Sequence, residues 1–130
     1  MPTIFTKIIN REIPAHIVAE NEMFIAILDI NPLVLGHVLI IPKIEKDYIF
    51  DLDDDVLMEM NVFAKRISRA IQKTVLCKRI GVAVIGLEVP HVHMHLVPIN
   101  TADDLNFTRP KLSPSQQNLA EIAEKIKAAL

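Results

Sequence analysis

Three of the five histidines in the chain stand in one run, His91-Val92-His93-Met94-His95-Leu96-Val97-Pro98. Imidazole suits hydrolytic chemistry at neutral pH, because its ordinary pKa of about 6.5 lets it act as nucleophile, base or acid. Alternation at period two predicts a half-buried strand from Val89 to Pro98, with the imidazoles on one face and Val92, Met94 and Leu96 on the other. Same-face neighbours lie roughly 6.5–7 Å apart along a strand, too far to bond directly but suited to surrounding one phosphate-sized group. Two chemistries compete for such a row. His-x-His pairs bind zinc, which gives a metal-binding protein using the His91/His93/His95 face. No cysteine stands nearby, however, and no His-Glu-x-x-His helix exists; the nearest carboxylate is Glu88. The other chemistry is attack on phosphorus by a neutral imidazole, which phosphate does not repel. His93, flanked on both sides, is the nucleophile in that scheme. His95 would donate to phosphoryl oxygens or to the leaving atom, and His91 would orient His93 and relay protons. No metal and no other cofactor is needed.

The elements that must hold these groups can be read from patterning. Thr3 to Ile9 is predicted as a short helix stopped before Pro14. Ile17–Glu20 and Phe24–Leu28 form a hairpin over Asn21-Glu22. Asp29-Ile30-Asn31-Pro32 breaks the pattern, and Gly36 leads into a strand His37–Ile41 whose unbroken apolar run implies burial on both faces. Asp53 to about Val75 carries an apolar stripe, with Asp53, Asp54 and Asp55 at its start and basic residues in its second half. Ile80–Ile85 is a fourth strand, joined by the short turn Gly86-Leu87-Glu88 to the histidine strand as an antiparallel neighbour. Ser113 is the expected cap of a last helix, with Pro114 in its first position.

At 130 residues, half of them apolar, the chain suggests one domain with a real core. A net charge of −2 gives no general attraction to nucleic acid or anionic membrane. Lone Cys77 excludes an internal disulfide. No secretion signal and no membrane-spanning run are visible, so a soluble cytoplasmic protein is expected.

The run His-φ-His-φ-His-φ-φ, with φ apolar, resembles the signature of the histidine triad (HIT) family of nucleotide-binding hydrolases and transferases. Ile4-Phe5-Thr6-Lys7-Ile8, Glu12-Ile13-Pro14, Leu28-Asp29-Ile30-Asn31-Pro32 and Gly36-His37-Val38-Leu39-Ile40-Ile41-Pro42-Lys43 are similar to family segments in the same order, so the match covers about residues 4–99. The resemblance implies a single HIT-like α+β domain over residues 1–130. Its fold would be a five-stranded, mainly antiparallel sheet with one long helix and two shorter ones, assembled as a homodimer. It adds His37 as a fourth imidazole that orients and relays. It also assigns the ribose hydroxyls to Asp29 and the base pocket to Ile4, Phe5, Ile8, Ile27, Leu28 and Ile30. The implied activity is metal-independent hydrolysis or nucleotidyl transfer at the α-phosphate of a purine nucleotide, through a nucleotidyl-His93 intermediate. Two features depart from the family. The fourth strand lacks an asparagine, and Gly86, Leu87 and Glu88 stand where many members carry Gly-Gln-(Ser/Thr). Glu88 therefore puts a carboxylate near the phosphate, while the turn Gly86–Pro90 offers backbone N–H groups in place of the missing side chains. Leu87 and Glu88 also open a second reading, a nucleotide-binding regulator with little turnover.

Overall fold

The computed structural model describes residues 2–130. Its elements are α1 (Ile4–Ile9), β1 (Ile17–Glu20), β2 (Phe24–Leu28), β3 (Val38–Pro42), α2 (Asp54–Thr74), β4 (Arg79–Ala83), β5 (Met94–Ile99) and α3 (Gln116–Ala128). The strands form one sheet in the order β1-β2-β3-β5-β4, and every neighbouring pair is antiparallel. This is the α+β architecture expected, with one long helix and two shorter ones.

Strand alternation divides the core into two layers. Phe24, Ala26, Leu28, Val38, Ile40, Met94 and Leu96 face α2 and α3, where they meet Met60, Phe63, Ile67, Ile71, Leu119 and Ile126. Ile25, Ile27, Leu39 and Ile41 face the other way, under Phe5 and Ile8 of α1. Both sides of β2 and β3 are thus covered, which is why all five residues of each are buried. Each large apolar side chain so buried contributes roughly 1.5–3 kcal/mol. The α1 face is the one that carries the site.

Three boundaries differ from expectation. β5 begins at Met94 rather than Val89, because the chain before it bonds elsewhere. Pro90 has no N–H, His91 N–H donates to Val89 O at 2.8 Å, and Val92 N–H donates to Lys46 O at 2.7 Å. β4 ends at Ala83, so the connection to β5 is longer than the turn Gly86-Leu87-Glu88. Ser115, not Ser113, caps α3: its side chain accepts the Asn118 N–H, which sets Pro114 before the cap. Gly36 has a real steric role at the entry to His37. Its φ is +94°, and a Cβ there would lie 2.8 Å from Val75 Cγ2.

Candidate active site

A cavity of about 510 Å³ opens on the α1 face, within the range that holds a small-molecule ligand. Ile4, Phe5 and Ile8 of α1, Ile27 and Leu28 of β2, and Val89 give it an apolar wall. Asp29, Ile30 and Glu88 also line it, and so do His93 and His95. Ile4 and Ile30 stay 49% and 54% exposed at its mouth, as side chains awaiting a flat apolar ligand would be. The expected binding residues therefore all converge on one space. Two of the four imidazoles do not: His37 and His91 lie behind the wall at 1% and 0% exposure.

Hydrogen bonds determine which nitrogen of each neutral ring carries its proton. Leu33 N–H donates to His37 Nδ1 at 3.1 Å, so the His37 proton sits on Nε2. That N–H donates to His95 Nδ1 at 2.9 Å, leaving His95 with its proton on Nε2, the nitrogen free for the cavity. His93 Nδ1–H donates to the His91 carbonyl at 2.8 Å, which leaves His93 Nε2 as a bare lone pair. His91 Nε2–H donates to Pro42 O at 2.8 Å, and its Nδ1 accepts the Thr3 hydroxyl at 2.7 Å. Among the described residues every fully buried side-chain N or O has a partner, so the unbonded Nε2 atoms of His93 and His95 are not sealed in protein. The cavity thus meets one bare nucleophilic nitrogen and one N–H donor, side by side on rings whose centroids are 5.0 Å apart.

Electrostatics hold the supporting rings neutral. Burial, then neighbouring His95, pushes His37 down to about 3. Burial, then His93, pushes His95 down to about 4. Burial also lowers His91, opposed by its bond to the Pro42 carbonyl and by Glu45. The relay expected through His37 does not form, because its far end is a backbone N–H that gives up no proton. His91 relays nothing either, since its ring faces Pro42 and Thr3. What it offers His93 is a carbonyl. His95 enters the cavity as a neutral donor rather than as imidazolium.

Asp29 serves two purposes. Oδ1 accepts the Asn31 N–H at 2.9 Å and forms the turn, while Oδ2, 3.7 Å from His37 Nε2, remains for a ligand. Burial raises its pKa, against the Asn31 bond and Lys111. Glu88 is solvent-exposed at the rim and forms no ion pair among the described residues.

Neither the triad face nor the group of Asp29, His37 and His95 suits a chelated metal ion. His91 has both ring nitrogens engaged, so the His91/His93/His95 face cannot chelate. Asp29, His37 and His95 do bring ligand atoms within 4.8 Å of one another. A ligating imidazole, however, donates its other N–H to an acceptor. His37 bound through Nε2 would turn a protonated Nδ1 toward the Leu33 N–H, donor against donor.

Among the lining residues that sequence reasoning did not assign to the site are Phe107 and Lys111. Phe107 meets the His95 ring edge-on with centroids 4.7 Å apart. Both belong to a polar loop with no periodicity, and only the fold brings it over the site.

The HIT domain profile matches residues 10–102. The chain belongs to the HIT family. A HIT-like protein of Borreliella burgdorferi is 34% identical over 95% of this chain and 94% of its own. An adenosine 5′-monophosphoramidase of Schizosaccharomyces pombe is 30% identical over 100% and 99%. A HIT-like protein of Bartonella henselae, solved by crystallography, superposes with a TM-score of 0.85 at 32% identity, covering 98% of this chain and 96% of that one. The matched HIT segment contains Asp29, His37 and the whole triad, whereas Phe107 and Lys111 lie beyond it.

Proposed function

We propose that this HIT protein is a metal-independent hydrolase or nucleotidyl transferase acting at the α-phosphate of a purine nucleotide, of the phosphoramidate or AMP-conjugate type. The observation that carries this reading is the fixed tautomer of His93, whose Nδ1–H is committed to the His91 carbonyl at 2.8 Å and whose Nε2 is bare. The base would lie among Ile4, Phe5, Ile8, Ile27, Leu28 and Ile30, with the ribose hydroxyls on Asp29. The phosphate would then reach His93 and His95, near the backbone of Glu88 and Val89. The phosphoramidase activity of the fission-yeast relative fits that pose.

His93 Nε2 attacks phosphorus and the bond from phosphorus to the leaving nitrogen breaks. Positive charge that develops on the His93 ring is stabilised through Nδ1–H by the His91 carbonyl. His95 Nε2–H donates to a phosphoryl oxygen as its charge grows. The departing nitrogen takes its proton from solvent, since the chain from Leu33 through His37 to His95 has none to release. Water then attacks phosphorus, loses its proton to solvent, breaks the bond to His93 and restores the bare Nε2.

Exposed Leu87 and Glu88, which bring no anion-binding side chain to the mouth, favour a second reading as a nucleotide-binding regulator. One assay separates the two. The wild type should turn over adenosine 5′-phosphoramidate, and His93→Ala should lose on the order of 10⁴-fold or more in kcat while binding AMP within roughly tenfold. A tenth of the wild-type rate in His93→Ala would remove His93 from the chemistry, and an inert wild type that binds AMP would favour the regulator.

The proposal includes a homodimer. β4 is an open sheet edge, and Val82 stands on it 55% exposed. Its partner across the ladder, Leu96, faces α2, so Val82 does too. Met58 and Val62, one turn apart on α2, are 62% and 63% exposed. A second copy would cover these apolar groups and the edge together.

A further inference from the structure

The nucleotide reading leaves the phosphate short of a positive charge. Asp29 and Glu88 both line the cavity, and the supporting imidazoles are neutral. Where many relatives place Gln-(Ser/Thr), Leu87 and Glu88 offer no side-chain donor. Among the described residues lining the cavity, Lys111 is the sole lysine or arginine.

Its position is built rather than incidental. A 3₁₀ turn at Ala102–Leu105 is closed by a capping box between Thr101 and Asp104. Arg109 then donates to Asp103 O at 3.0 Å and to Asp104 Oδ1 at 3.2 Å. Beyond the site, Leu112 N–H donates to Pro32 O at 2.9 Å. Both ends of the segment are thus tied down, one beside β5 and one beside the turn that follows Asp29. Between them Phe107 stands against His95, and Lys111 Nζ donates to Phe107 O at 3.2 Å. An ammonium has three N–H donors, and this one forms no ion pair with a carboxylate among the described residues. Its field reaches the site: Lys111 is among the groups that lower the pKa of Asp29, His37 and His95.

We infer that Lys111 is a phosphate-binding residue, and that the segment from Phe107 to Lys111 is the wall that presents it to the nucleotide. This inference rests on the nucleotide reading and adds the residue that answers the charge. Nζ keeps its bond to the Phe107 carbonyl and gives its remaining N–H groups to phosphate oxygens, opposite the His95 donor. A nucleoside without phosphate gains nothing from it.

The test compares AMP with adenosine by titration calorimetry on wild type, Lys111→Ala and Lys111→Arg, with melting temperatures to verify the fold. A charge-assisted bond is worth about 1.5–3 kcal/mol, so Lys111→Ala should weaken AMP roughly tenfold to a hundredfold and leave adenosine within about twofold. Lys111→Arg should recover most of the loss, and salt should weaken AMP binding in wild type more than in Lys111→Ala. Equal weakening of AMP and adenosine would make Lys111 a prop for Phe107 and overturn the inference. An AMP loss of less than about twofold would overturn it too, with the nucleotide reading intact. A wild type that binds neither ligand would overturn both.

Discussion

His37 and His95 are neutral because of where they lie, and that has a measurable sign. Their folded pKa values, about 3 and about 4, stand below the ordinary 6.5. The unfolded chain takes protons that the folded one refuses, so their contribution to stability is complete above about pH 6.5 and is lost as pH falls toward the folded values. The urea midpoint should drop between pH 7 and pH 4.5, and the ring resonances of His37 and His95 should stay at their neutral positions down to about pH 5. Rings titrating near 6.5 would contradict the buried network. At this scale the sequence was a good guide to identity and a poor one to role. The triad, His37 and Asp29 are legible from spacing and resemblance, although only His95 among them lies within a strand and the others sit just outside strand ends. Their tautomers are not, since those depend on the backbone turn that aims Leu33 N–H at His37 and on Pro42 and Thr3, both remote in sequence from His91. The same holds for Phe107 and Lys111, which approach the site only through turns closed by Asp104 and Arg109.

The elements are joined to the chemistry through α1. Thr3 caps this helix by accepting the Thr6 N–H at 3.1 Å, and the same hydroxyl donates to His91 Nδ1 at 2.7 Å. Its own N–H donates to Glu45 at 2.9 Å. The helix that walls the cavity is therefore fastened to the residue whose carbonyl holds His93. Thr3→Val should cost about 2 kcal/mol or more, from a lost cap and a stranded buried acceptor. It should also lower kcat, and Thr3→Ser should restore both in urea titrations and turnover assays. A Thr3→Val protein equal to wild type in both would show that the contact positions nothing. Apolar runs made β2 and β3 readable, since burial on both faces leaves an unbroken signature. The end of β4 and the start of β5 were not, because Pro90 and the bond from Val92 to Lys46 take the chain out of the ladder while its alternating pattern continues.

Across the whole molecule the net charge is −2, so the proposed anionic substrate would have to be held by local groups, in the proposed pose Lys111, the His95 N–H and backbone amides. The exposed β4 edge and the α2 residues Met58 and Val62 point the same molecule toward a second copy. Light scattering at micromolar concentration should give the mass of two chains, and Val82→Lys should give one, since a charge on that edge opposes pairing. A wild type that stays monomeric would refute the dimer.

The central claim is that His93 Nε2 forms a bond to phosphorus. Rapid quenching in cold alkaline denaturant of the protein mixed with adenosine 5′-phosphoramidate, followed by intact and peptide mass spectrometry with the sample kept above neutral pH, tests it most directly. An adenylyl group should accumulate within the first turnover, map to His93 and be absent from His93→Ala. Turnover with no adduct at any quench time, or an adduct on His95 instead, would contradict it.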